Sequence, residues 1–346
     1  MTFSINSLIP KAILGLFDAD LNTVKPFTLE ASGSARPKFE WDRYIPFVSM
    51  HAGCLLALWG GVSWSAVFLA VALYWIRMFA ITGFYHRYFS HRTFQTSRVM
   101  QFLFAILGLT SLQRGPLWWA SHHRFHHQHV DTEKDLHSPR HFGFWWSHMG
   151  WMTVSTNLST DYQRVPDFLK FPELVFLNRF DWVVPLLYFV ALYGLGELLA
   201  LWMPELKTNG VQFLAWGGFI STVALLHATL TINSLSHVYG SQRYKTGDDS
   251  RNNWFLAILT MGEGWHNNHH RYPGSVRQGF FWQEWDPTYY ILWLMNKLGL
   301  VWDLHPVPVS LLKEGQLQAY KPEGRLGQKL QKPLTSPHPQ IALSSF

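Results

Sequence analysis

Four apolar runs, grouped as two close pairs, limit what this chain can fold into more than any other feature. They cover roughly residues 45–61, 62–84, 181–203 and 211–232. A helix that crosses a bilayer needs about 20 apolar residues, so each run is a candidate span. The first pair is joined by a turn near Gly60 and Gly61, the second by a short segment containing Pro204 and Gly210. The expected fold class is an all-α integral membrane protein with four transmembrane helices in two hairpins. Composition agrees, with 48% hydrophobic and 14% charged residues, 18 Trp and 26 Phe, a usage suited to bilayer interfaces and apolar ligands.

Two hairpins return the chain to the side it left, so the N-terminus, residues 86–180 and everything after Asn233 share one face. Lys207 is the only Lys or Arg in either opposite-side turn, which assigns the large face, both termini and any site on it to the cytoplasm. Residues 1–43 read as an N-terminal cytosolic segment, in which Ile5, Leu8, Ile9, Ala12, Ile13, Leu16 and Phe17 recur at the spacing of an interfacial helix. Residues 44–310 form the membrane domain, its spans topped by a cytosolic helical cap, and 311–346 a poorly ordered polar tail. Within the cap, the short apolar stretch 98–112 is too short to span and is expected to rest in the interface over the site. The first residues lack the ordered pattern of a secretory signal, so insertion through the internal helices is expected. The net charge is +6 with no basic run, which fits an anionic leaflet and no nucleic acid. With Cys54 alone, no intrachain disulfide forms.

Of 18 histidines, 14 fall in two windows, 86–148 and 237–270, both on the cytoplasmic face. They cluster as HRYFSH (His86, His91), HRFHH (His123, His126, His127) and HNNHH (His266, His269, His270), with Asn233 and His237 at the end of the last run. Residues at i, i+3 and i+4 share a helix face, so the second and third clusters each present three imidazoles together. His86 and His91 are five apart, about 140° on an ideal α-helix, and serve one centre only at a bend or helix end. Nine converging imidazoles exceed a tetrahedral zinc site and point to two metals with four or five ligands each. Imidazole suits iron, zinc, copper and nickel alike; iron is favoured because oxidising an apolar substrate at an unactivated C–H bond needs redox chemistry that zinc lacks. His122, His129, His137, His141 and His148 are expected in supporting roles. For His51 and His227, inside spans, a helix-to-helix hydrogen bond is the plainer account. Arg77 is expected to snorkel to the interface, and Arg114 and Arg124 are candidates for an anionic head group.

These strings, with SHMGWM at 147–152 and WDPTYY at 285–290, resemble the membrane fatty-acid desaturase family over roughly residues 40–308. The pattern is closest to stearoyl-CoA (delta-9) acyl desaturases of bacterial type. The resemblance implies O2-dependent conversion of a saturated long-chain acyl group, on CoA or a lipid, to a cis-monounsaturated one by two iron ions. Carried over, the ligands are His86, His91, His123, His126, His127, His237, His266, His269 and His270, with Asn233 acting through a water. By position, Gln113, Trp119 and Thr229 line the bend of the acyl tunnel. The chain departs from fused-haem members in having no His-Pro-Gly-Gly segment, so electrons are expected from a separate carrier, a ferredoxin, rubredoxin or cytochrome with its NAD(P)H reductase. It departs again at Leu230, where animal members carry Trp.

Three rivals use related features. A di-iron membrane hydroxylase would leave oxygen on the substrate carbon. A zinc lipid hydrolase would need fewer ligands. A metal-binding membrane transporter would place ionisable groups along a mid-membrane path, whereas these clusters lie outside the spans.

Overall fold

The computed structural model describes residues 15, 17–22 and 40–319. The expected interfacial helix over residues 5–17 lies outside them apart from Gly15 and Phe17, and so does the tail beyond Ala319. Among the described residues, three helices are long and apolar enough to cross a membrane: α3 (Trp64–Ser90), α9 (Val183–Trp202) and α10 (Gly210–His237). The first apolar run instead folds as α1 (Trp41–Gly53) and the short α2 (Leu56–Gly60). Between them Cys54 N–H donates to His51 O at 3.1 Å and Leu55 N–H to Ala52 O at 3.0 Å, the i→i+3 bonds of a tightened turn.

Local chemistry sets the boundaries. Gly61 takes φ +74° in the turn between α2 and α3, and the Ser63 hydroxyl caps α3 by accepting from Ala66 N–H at 3.2 Å, satisfying a donor that the first turn leaves free. Asn209 caps α10 in the same way through Gln212 N–H at 2.9 Å. Large apolar side chains point outward on these helices, Trp64 being 89% and Leu58 84% exposed, as expected of surface that meets lipid.

The last 11 residues of α3, Ala80–Ser90, are π-helical. That winding closes i→i+5 hydrogen bonds, as in His91 N–H to His86 O at 3.3 Å. Residues five apart therefore share a face, and this brings His86 and His91 together where the sequence argument required a bend. Around this segment lies the buried core, with Phe84, Tyr85, Phe89, Phe94, Leu109 and Phe168 in one cluster. The stretch 98–112 forms α4 (Arg98–Leu109) and lies flush on the π segment. A Cβ at Gly108 would overlap the Tyr85 ring.

The region expected as the cap is built from α5 (Pro116–His129), the short α6 (Pro139–Phe142) and α7 (Phe144–His148), α8 (Pro172–Arg179), α11 (Trp254–Leu259), α12 (His266–Arg271) and α13 (Pro287–Lys297). A two-residue antiparallel pair, β1 (Gln95–Thr96) with β2 (Val301–Trp302), fastens its end to the exit of α3. The composition boundary at 311 falls inside a helix, α14 (Val309–Ala319). Leu311 is buried there, and Tyr244 O–H donates to its carbonyl at 3.0 Å.

Arg77 departs from its expected behaviour. It is fully buried midway along α3 and does not reach an interface. Its guanidinium donates to Thr110 O at 3.0 Å and to the hydroxyls of Thr222 and Ser221, each at 2.6 Å, so its hydrogen bonds are met inside the protein.

Candidate metal centre

Two groups of imidazoles converge in the cap. His86, His91, His123, His127 and His269 form one; His126, His237, His266 and His270 form the other; within each, one ligand nitrogen per residue lies within 4.8 Å of the rest. The nine residues singled out in the sequence are thus brought together and divided five to four. Each three-histidine cluster straddles the division. On α5, His123 and His127 (i, i+4) serve the first group and His126 the second; on α12, His266 and His270 (i, i+4) serve the second and His269 the first.

The donor set suits a cation. Nε2 of His91 and His123 lie 2.8 Å apart, those of His86 and His269 3.0 Å, and those of His237 and His266 3.1 Å. Carboxylates occupy the far side of several rings. Asp135 lies 3.1 Å from His126 Nδ1, Asp131 2.9 Å from His237 Nδ1 and Asp248 3.1 Å from His270 Nδ1, and Glu263 pairs with His86 Nδ1. A carboxylate accepts only, so it fixes the proton on Nδ1 and leaves Nε2 as a bare lone pair aimed at the centre. His270 Nε2 is buried with no hydrogen-bond partner among the described residues. Lone pairs gathered this closely repel one another unless a metal ion sits among them.

Electrostatics keeps the rings ready to bind. Burial, and then the neighbouring imidazoles, hold His91, His123, His127, His266 and His269 well below the usual histidine value, so they are neutral at pH 7. Burial acts the same way on His270, which falls to about 4 against the opposing pull of Asp248. For His126, burial is outweighed by Asp135, and its value rises. Burial alone would raise Asp131, Asp135 and Asp248, but the histidines beside them hold all three below the carboxylate range.

Beside the first group runs a cavity of about 270 Å³, lined among others by Gln113, Trp119, His123, Thr229 and Asn233. A smaller one of about 40 Å³ shares Trp119, His123, Thr229 and Asn233 with it and is bounded by Met78 and Ile81 of α3. Gln113 donates to the Thr229 hydroxyl at 3.1 Å, and Trp119 stacks on His123 at 5.0 Å between ring centroids. Trp119 and Thr229 thus sit where the two spaces meet, and Gln113 lines the larger one beside Thr229. Asn233 lines both spaces rather than standing apart from them.

Other expectations resolve residue by residue. His141 lies 2.9 Å from the Asp131 carbonyl, the His137 ring packs tilted against His126 with a 4.4 Å centroid separation, and His122 lies 3.0 Å from Trp118 O. Arg124 clamps Asp167 and the carbonyls of Phe89 and Ser90 and is committed to the fold, not to a head group. Arg114 lines the larger cavity and pairs with Asp181 at 3.2 Å.

The four carboxylates escaped the sequence reading. Asp131 and Asp135 follow His127 by four and eight residues, and Glu263 precedes His266 by three, proximity that could have flagged them. Asp248 lies in an irregular loop with no such signal.

A family model for fatty acid desaturase matches residues 62–313. The sn-1 stearoyl-lipid 9-desaturase of Anabaena variabilis is 37% identical over 77% of this chain and 94% of its own length. The acyl-CoA 5-desaturase of Anemone leveillei is 40% identical over 74% of this chain and 76% of its own. The chloroplastic palmitoyl-monogalactosyldiacylglycerol delta-7 desaturase of Arabidopsis thaliana is 39% identical over 78% and 69%. The matched region carries both histidine groups and the whole lining of the smaller cavity, and this chain accordingly belongs to the fatty acid desaturase family, as an acyl desaturase oxidoreductase.

Proposed function

We propose that the chain converts a long-chain saturated acyl group, carried by CoA or a lipid, to its cis-delta-9 monoene at a di-iron centre. The observation that carries this reading is the pair of histidine groups with nitrogens turned inward, four of whose rings (His86, His123, His126 and His266) line the smaller of two adjoining cavities. His86, His91, His123, His127 and His269 would hold one iron, and His126, His237, His266 and His270 the other, with Asn233 reaching its metal through a water. The 9-desaturase function named for the Anabaena relative supports the position, although the other two relatives are named for positions 5 and 7.

When bound, the irons supply the redox chemistry: O2 leaves as two waters, taking two hydrogens from adjacent acyl carbons and two electrons and two protons from outside. The protein does the positioning. Trp119, Thr229 and Gln113 hold the acyl chain at the bend so that one pair of methylenes faces the centre. Trp and Phe around the site exclude bulk water. Asp131, Asp135, Asp248 and Glu263 keep the ring protons away from the metals. Electrons come from a separate ferredoxin, rubredoxin or cytochrome with its NAD(P)H reductase.

For topology we favour four crossings, with α1 and α2 together making the first, and termini and cap in the cytoplasm. Residues 1–43 and 311–346 would flank the membrane domain of 44–310.

The test is expression in a host without its own delta-9 desaturase, followed by gas chromatography–mass spectrometry of derivatised fatty acids. A new cis-9 monoene that vanishes with His126→Ala is the expected result. A monoene at another position overturns the regiochemistry, and hydroxylated chains overturn the reaction.

A further inference from the structure

Three histidines outside both metal groups form a continuous hydrogen-bonded chain. His51 Nδ1 on α1 lies 2.7 Å from Phe47 O, and its Nε2 lies 2.8 Å from His227 Nε2 on α10. His227 Nδ1 lies 3.0 Å from His148 Nε2 on α7. His148 Nδ1 lies 3.0 Å from the Ser234 hydroxyl, which is 3.0 Å from Leu230 O. Neighbours of the chain, Phe47, Met50, Met149, Leu226 and Leu230, line the larger cavity, so the chain runs within its wall. Ionisable groups held inside a membrane protein are functional candidates by default.

Counting hydrogens shows what the chain lacks. Both ends are carbonyl oxygens, which only accept, and five links join them. Three neutral imidazoles and one hydroxyl bring four hydrogens. One link stays empty unless the chain takes up a proton. Fixing the Phe47 end first makes each neutral ring donate toward α1, and the empty link then falls between Ser234 and Leu230. An added proton reverses part of the chain and fills every link.

We propose that His51, His227 and His148 form a binding site for one proton, and that the occupied site fastens α1 to α10 and α7 along the cavity wall. Few other charges bear on it. Among the described residues, no Asp, Glu, Lys or Arg side chain is hydrogen-bonded or ion-paired to any of the three. On α1, Asp42, Arg43 and Tyr44 lie about two turns before His51; α10 carries no other titratable side chain before His237; on α6, Arg140 pairs with Asp249 at 2.6 Å and His141 faces the Asp131 carbonyl. Phe144 stacks on His148, and Phe47 packs on His51 and His227. Burial lowers His148 from its ordinary value, which places filling on the acidic side of neutrality.

The test reads the site without turnover, so it stands or falls apart from the reaction assigned above. Hydrogen–deuterium exchange of the α1 backbone is followed by mass spectrometry on the full-length, metal-loaded protein in lipid nanodiscs from pH 8 to pH 5. Wild type is compared with His227→Gln and His148→Gln, the ratio cancelling the intrinsic pH dependence of exchange. Glutamine supplies a donor group (NH2) and an acceptor group (C=O), so it can bridge its two neighbours as a neutral imidazole does, and it takes up no proton. Iron content equal to wild type certifies that a variant is folded. The ratio of variant to wild-type exchange is expected to climb roughly tenfold toward pH 5, the scale of one charge-assisted hydrogen bond. A ratio that stays level across the range in both variants overturns the proposal.

Discussion

A ligand histidine works only if the correct nitrogen is bare, and here that choice rests on four carboxylates more than on the histidines themselves. Asp135 is nearly fully buried, 3.1 Å from His126 Nδ1, and also accepts from the backbone N–H of Asp131 at 2.9 Å. Its charge raises the basicity of His126 as well as orienting the ring. Asp135→Asn keeps an acceptor oxygen of the same reach and removes the charge. Iron affinity, measured by competition with a chelator, should fall about 10- to 100-fold; an unchanged affinity would mean that Asp135 only orients the ring. At this scale the sequence was informative where side-chain type alone carries the meaning. Eight of the nine imidazoles were legible because spacing of three, four or five can be read off a string, and His237 through its place four residues after Asn233. Asp248 was not, because its 3.1 Å approach to His270 depends on a loop path that no periodicity encodes. Arg77 failed for a related reason: its buried partners Thr110, Ser221 and Thr222 come from two distant segments.

At the scale of elements, the π-helical end of α3 sets the geometry of the first group. An α-helix and a π-helix offer the same apolar residues to lipid, so hydropathy could locate the span yet could not distinguish the winding. The spacing of His86 and His91 was the available clue. Five residues per repeat misfits 3.6 per turn and fits an i→i+5 ladder. The apolar run at 45–61 was legible as a run but not as two pieces, because the tightened turn at Cys54 and Leu55 leaves hydropathy unchanged. Helix α14 was hidden by its polar composition. What holds the π segment in place is its packing against α5 and α4, α4 lying on Tyr85, one residue before His86. Gly108→Val puts branched carbons into the Tyr85 ring, and overpacking of this kind costs about 1–3 kcal/mol. We expect a lower melting temperature in detergent or nanodiscs together with lower iron content. A variant with wild-type melting and full iron would show that α4 yields freely and does not fix the π segment.

Across the whole molecule, the two histidine groups draw on the end of α3, on α5, on the end of α10 and on α12, segments spread from residue 86 to residue 270. Global unfolding therefore exposes all of these rings at once, and their protonation couples directly to stability. His91, His123, His127, His266 and His269 are held well below the ordinary histidine value by burial first and by one another second. In the unfolded chain they take up protons near pH 6.5. Below that pH the unfolded state binds more protons than the folded one, so stability falls as pH falls and is regained as pH rises through the unfolded value. Metal binding adds to the trend, since it requires neutral imidazole and is undone by acid. The melting temperature of the iron-loaded protein should drop between pH 7.5 and pH 5.5. Chelation at pH 7.5 should lower it as well, because a metal bound only to the folded state stabilises that state. A melting temperature that holds level or rises toward pH 5.5 would mean that these rings are already protonated in the folded protein, and the neutral-imidazole account of the centre would have to be abandoned.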